Sequence, residues 1–141
     1  MLNMTFEEHI LINASQERVF GFYADVPGWA KWDPSVKSAT IQGAFASGAK
    51  GVLVPSSGPK ANILFAEVVA PMSFTVVSRL PLCTMRFEHH LSSQEGMVKA
   101  LHRVTFAGPL APLFGRLIGG SIRRDLPVTL EGLKRVSEGL N

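Results

Sequence analysis

The sequence predicts an α+β domain in which a curved antiparallel sheet of about seven strands wraps around one long C-terminal helix. Three observations predict it. Apolar residues alternate through a run of short segments between Val36 and Ala107, separated by turns rich in Gly, Pro and Ser. From Leu110 to Leu133 the apolar period changes to threes and fours, which is the stripe of an amphipathic helix. Two short helical patterns stand between the first strand and the rest. The links between strands are too short for parallel crossovers, so an antiparallel meander is expected.

The elements follow in order. Thr5 to Ile12 reads as a strand with Phe6, Ile10 and Ile12 on one face. Ser15 is placed to cap a short helix, with Glu17 where the helix dipole favours an acid. Arg18 stands where Glu or Gln would complete a capping box. Val19, Phe20, Phe22 and Tyr23 supply the apolar side, and Asp25-Val26-Pro27-Gly28 ends it. Trp29 to Pro34 reads as a brief helical turn. Strands are expected over Val36 to Gly43, Gly51 to Ser56, Ala61 to Val69, Ser73 to Leu80, Leu82 to Ser92 and Met97 to Ala107. Gly108-Pro109 opens the long helix, Gly119-Gly120 is a soft point, and Pro127 is expected to kink or divide it.

Composition fits this picture. The 141 residues are 46% hydrophobic and 18% charged, enough for one domain with a real core, and no linker or repeat divides them. The formal charge of +3 is spread along the chain, so no nucleic-acid partner is expected. The densest basic cluster is Arg116, Arg123 and Arg124, then Lys134 and Arg135. It reads as the wet face of a helix, with a membrane-surface or anionic-partner role as the rival reading. Cys83 is the single cysteine, so no internal disulfide is possible. No signal-peptide pattern and no apolar run long enough to span a bilayer is seen. A soluble, cytoplasmic protein without integral membrane association is expected.

Three segments in this order resemble the START-like superfamily, also called SRPBCC, a helix-grip group. It includes polyketide cyclases and dehydrases, lipid-transfer domains and the birch-pollen-allergen class. Ile10-Leu11-Ile12-Asn13-Ala14-Ser15-Gln16-Glu17-Arg18-Val19-Phe20 resembles the family's first strand, small-residue cap and first helix. Asp25 to Pro34 resembles its aspartate, tryptophan and proline segment. Phe106 to Phe114 resembles its junction between last strand and grip helix. The resemblance implies a deep cavity between sheet and helix. It carries over no catalytic residue, because the group has no shared catalytic set and hosts binders and enzymes alike.

Candidate site residues come from the inward faces. With the last hairpin turning at Gln94-Glu95, Phe87 faces His102 and His89 faces Ala100. The two histidines then lie diagonally on the more apolar face, roughly 7–8 Å apart at the backbone. They are the candidates for hydrogen bonding to a ligand or for proton transfer. The plainer reading makes them satisfied core or rim histidines. Trp32, Phe65, Phe74 and Phe87 are expected to line the cavity, and Leu113, Leu117 and Ile118 to form its floor. Phe45 and Val54 lie near loops that could gate it. Arg79 could help orient a ligand, and Arg86 and Arg103 should face each other on the outer side. Glu8 and Glu67 fall on apolar faces and could act as general acids, or simply sit exposed. His89 and His90 are adjacent in a strand and point to opposite faces; His89, His102 and Glu67 or Glu8 could make a metal site, but no close ligand spacing is present, so no metal is expected, and no other cofactor.

The function expected first is binding of a small hydrophobic ligand, of lipid, polyketide-like or aromatic type. Its rivals are a polyketide cyclase or dehydrase that uses His102 or His89 for proton transfer, and a chaperone-like or regulatory interaction domain. Whether the protein is an enzyme, and its oligomeric state, stay open at this point.

Overall fold

A computed structural model describes residues 3–140. Seven antiparallel strands form one sheet in the order β1-β7-β6-β5-β4-β3-β2. They are β1 (Met4–Ile12), β2 (Val36–Ile41), β3 (Lys50–Pro55), β4 (Ala61–Val69), β5 (Ser73–Leu80), β6 (Cys83–Gln94) and β7 (Met97–Ala107). Helix α1 (Gln16–Ala24) and a 3₁₀ turn (Val26–Lys31) follow β1, and helix α2 (Ala111–Ser137) ends the chain. The α+β helix-grip expectation holds, with strand limits within a few residues of those read from the pattern. The 3₁₀ turn starts earlier than expected, because Pro27 fits a first helical turn, where its missing N–H is not needed.

Local chemistry explains the first elements. The Arg18 amide donates to the Ser15 hydroxyl at 3.1 Å, which caps α1. Arg18 then closes no capping box. Its Nε donates instead to the Ser137 carbonyl at 2.6 Å and its guanidinium reaches Val136, tying α1 to the last turn of α2. Lys134 Nζ donates to the Leu11 carbonyl, and the Asn13 amide donates to Glu138. The C-terminal half of α2 is therefore latched to β1 and α1 by polar bonds at the free helix end.

The N-terminal half is held differently. Ala111, Gly115 and Gly119 are buried against the sheet. A Cβ on Gly115 would meet the Met4 side chain, and one on Gly119 would meet the Phe6 ring. The glycine that reads as a soft point in the sequence is a packing contact. This close approach sets the phase of α2. It corrects one expectation: Leu113 is 48% and Leu117 71% exposed, on the face turned away from the sheet. They floor no cavity. Pro127 does not divide the helix, which runs unbroken from Ala111 to Ser137.

Two apolar clusters result. One gathers Phe20, Tyr23, Trp29, Trp32, Phe65 and Phe74 with Leu130 and Leu133 of α2. The other joins Phe6, Cys83, Met85, Val104 and Phe106 to Ala111 and Leu126.

Candidate functional site

The site begins with the β6–β7 hairpin. Its two-residue turn is Glu95-Gly96, with φ of 52° and 79°. Two successive positive φ values match the strand twist best, and glycine accepts one without a Cβ clash. Gln94 therefore pairs with Met97, and His89 pairs directly with His102. This corrects the expected register by two residues along the ladder. Every side chain keeps its expected face, because a slip of two residues preserves a period of two. The histidines are cross-strand neighbours with ring centroids 4.7 Å apart. On the outer face Arg103 sits opposite Glu88 instead of Arg86, and its Nε donates to Glu7 at 2.7 Å. The expected clash of like charges becomes an ion-pair group.

His102 is buried, and its Nε2 lies 2.7 Å from the hydroxyl of Tyr23, which is fully buried on α1. One tautomer of His102 accepts from the phenol and the other donates to it. His89 Nδ1 is 3.1 Å from the Phe74 carbonyl. A carbonyl only accepts, so Nδ1 carries the hydrogen and Nε2 is left as an acceptor. The His89 ring stacks on Phe74 at 3.9 Å and meets the Tyr23 ring edge-on at 5.5 Å.

This enclosure sets the charge state. Burial pushes His89 down to about 4, against a smaller opposing effect of the Phe74 carbonyl. Burial, then the neighbouring histidine, hold His102 well below its ordinary value. Burial also holds the Tyr23 phenol far above its ordinary value. At neutral pH the three groups form an uncharged donor and acceptor set in apolar surroundings. Trp32 adds a donor: its Nε1 is buried with no hydrogen-bond partner among the described residues, and its ring centroid is 6.3 Å from that of Tyr23.

The remaining expected residues divide. Trp32, Phe65, Phe74 and Phe87 all belong to or pack on the aromatic cluster. Arg79 is exposed at the end of β5 and reaches no part of it. Glu8 pairs opposite His102 but is exposed on the edge strand. Glu67 follows a β-bulge between Phe65 and Glu67, which moves it to the exposed outer face beside Thr75. Cys83 is buried, and burial raises its thiol, so it is no poised nucleophile. Among the described residues no group of three potential ligands is placed to hold a metal.

The sequence left open whether the cavity stands open. Rings occupy the concave side. Phe45, on the β2–β3 loop, packs edge-on against Phe20, Phe65 and Phe74, with centroids 5.9, 5.5 and 5.3 Å away. Two surface concavities lie elsewhere, one on the outer face at His90, Lys99 and Arg103, one beside α1 at Arg18 and Phe22. The residue that sequence reasoning missed is Tyr23. Its signal was present: it is the only tyrosine and stands on the apolar side of α1. Its partner is 79 residues away, which no local pattern connects.

Residues 3–138 match the model of a family described as polyketide cyclase / dehydrase and lipid transport. No curated protein sequence matches the chain. Among solved structures, Ara h 8.0201 superposes with a TM-score of 0.76 at 13% identity, over 97% of this chain and 99% of its own. One stretch of the di-domain ARO/CYC protein StfQ, from the steffimycin biosynthetic pathway, gives 0.80 at 10% identity, over 98% of this chain and 51% of that one. Truncated norcoclaurine synthase from Thalictrum flavum gives 0.70 at 15% identity, over 96% and 93%. At these identities the likeness is one of fold.

Proposed function

The chain belongs to the polyketide cyclase / dehydrase and lipid transport family, and we propose from this footing that it binds a small, mostly apolar molecule bearing a carbonyl or hydroxyl oxygen. The ligand would sit on the concave face of the sheet among Phe65, Phe74 and Trp32. One observation carries the reading. An uncharged polar set, Tyr23, His102 and His89, lies inside an aromatic cluster beside the Trp32 ring, whose Nε1 has no partner among the described residues. Apolar burial would supply affinity at about 25 cal/mol per Å². The polar set would fix orientation, and a ligand oxygen would satisfy the indole N–H.

Phe45 is the movable wall of this proposal. Before Phe45 its loop is tied by the Gln42 amide, which donates to the Lys50 carbonyl; after it the Gly48 amide donates to the Phe65 carbonyl, the Phe65 amide to Ala49 and the Val68 amide to the Ser47 hydroxyl. Gly43, at φ 80°, provides a turning point between Gln42 and Phe45. Outward movement of Phe45 would free a ring-sized volume next to Phe74.

The charge states favour holding over transforming. A histidine at about 4 is a weak base at neutral pH, and a phenol held protonated is a weak acid. The cyclase-type alternative would need a ligand that raises the basicity of His89 or His102 when it binds.

The test is tryptophan fluorescence titration with 2-naphthol, run in parallel with thermal shift. Saturable quenching and a concentration-dependent rise in melting temperature are expected. Phe45→Ala should bind several-fold tighter, because the wall is already removed. Absence of saturable binding to both forms would sink the proposal.

A further inference from the structure

The first half of α2 has a second face, and the fold leaves it uncovered. Leu113 and Leu117 stand on it at 48% and 71% exposure. The β5–β6 turn adds Leu82, 68% exposed, whose carbonyl accepts from the Leu110 amide at 3.0 Å. Three large apolar side chains are thus presented to solvent around the start of one helix.

The charges around them share one sign. Residues 79–86 and 108–124 contain Arg79, Arg86, Arg116, Arg123 and Arg124 and no Asp or Glu. Among the described residues none of these arginines forms an ion pair with a carboxylate. Arg123 lies over the Phe6 ring at 5.2 Å, while Arg116 and Arg124 project from the exposed side. The rest of the chain holds more acids than bases, so positive charge is concentrated at this end.

We infer that this end of the molecule, formed by the outer face of residues 111–124 and the Leu82 turn, is a docking surface for an anionic lipid bilayer. Exposed leucines flanked by arginines on a helix suit the bilayer interface. The apolar side chains enter the acyl boundary and the guanidinium groups meet anionic headgroups. A second copy of the chain fits less well, because a two-fold contact through this face would bring like charges together. No helix among the described residues is long and apolar enough to cross a membrane, so the contact is peripheral.

Flotation with vesicles tests it. The protein should float with mixed phosphatidylglycerol–phosphatidylcholine vesicles and stay behind with pure phosphatidylcholine. Binding should weaken as salt is raised. Each arginine at the surface should change partitioning about fivefold. Arg116→Glu with Arg124→Glu should therefore reduce binding at least about tenfold. Leu113→Ser with Leu117→Ser should reduce it by a similar factor, and both variants should keep the wild-type melting temperature because the replaced side chains are exposed. Three results would overturn the inference: no flotation with anionic vesicles, full binding by both variants, or a vesicle-free wild-type dimer that the variants dissociate. The last result would assign the face to a second copy.

Discussion

The two halves of α2 cover two different interiors. Beneath the C-terminal half lie rings, with a tyrosine and two histidines bonded among them. That half is latched by directional bonds from Arg18, Lys134 and Thr129. Beneath the N-terminal half lie Phe6, Cys83, Met85, Val104 and Phe106, with no histidine, and the helix is held by the close approach of Gly115 and Gly119. The first interior contains polar groups whose bonds demand one arrangement. The second contains adaptable side chains that require only volume. The difference teaches where chemistry and where mere support are to be sought in this fold.

Acid should separate the two interiors most strongly. His89 has a folded-state value of about 4 against an ordinary 6.5, so the folded state disfavours its proton. The stability this represents is fully present above about pH 6.5 and is lost as pH falls through about 4, on the order of 3 kcal/mol from His89 alone. His102 is shifted in the same direction and adds to the loss. Denaturant midpoints measured from pH 7 to pH 4 should fall steeply, and His89→Phe should flatten the slope. A profile that the substitution leaves unchanged would place the acid sensitivity outside the aromatic interior.

Glycines sharpen the contrast at a somewhat smaller scale. A Cβ on Gly132 would run into the backbone carbonyl of Trp32, which cannot step aside. Gly132→Ala should cost about 2–3 kcal/mol, although alanine is the better helix former. Gly119→Ala presses on the Phe6 ring, which can rotate or shift, and should cost about 1–2 kcal/mol. Urea denaturation of the two variants compares them, and the reverse ranking would contradict the assignment of rigid and adaptable interiors.

Tyr23→Phe should cost about 1–2 kcal/mol in the same measurement, because it leaves His102 buried without its bond. The smallest effect is expected at Asp33. Its Oδ1 accepts from the Ser35 amide and hydroxyl and from Thr129, while burial raises its carboxyl above the ordinary value. Asp33→Asn keeps the acceptor and removes the charge, so the melting temperature at neutral pH should hold or rise. A clear drop would mean that the carboxylate charge itself strengthens the bonds from Ser35 and Thr129.

The legible and illegible parts of the molecule divide along the same physical line. Strand periodicity placed His89 and His102 on the inner face despite a misplaced turn, since both registers keep the same parity. Their direct pairing was hidden because Glu95-Gly96, not Gln94-Glu95, adopts the two positive φ values. Glu67 was misassigned because a bulge breaks the period of two without any residue that announces it. Leu113 and Leu117 looked like core because hydropathy counts leucines and overlooks glycines, and here the glycines carry the contact.

The sequence by itself determined the α+β class, the count and order of the strands, the capped first helix and the inward faces of β6 and β7. These are local properties, set by side-chain period, turn chemistry and capping within a few residues. Only the tertiary structure decided the phase of α2, the Tyr23–His102 bond and the filling of the concave face by Phe45. Each depends on how closely distant segments approach, and that distance is set by packing of the whole core, not by any one stretch of chain.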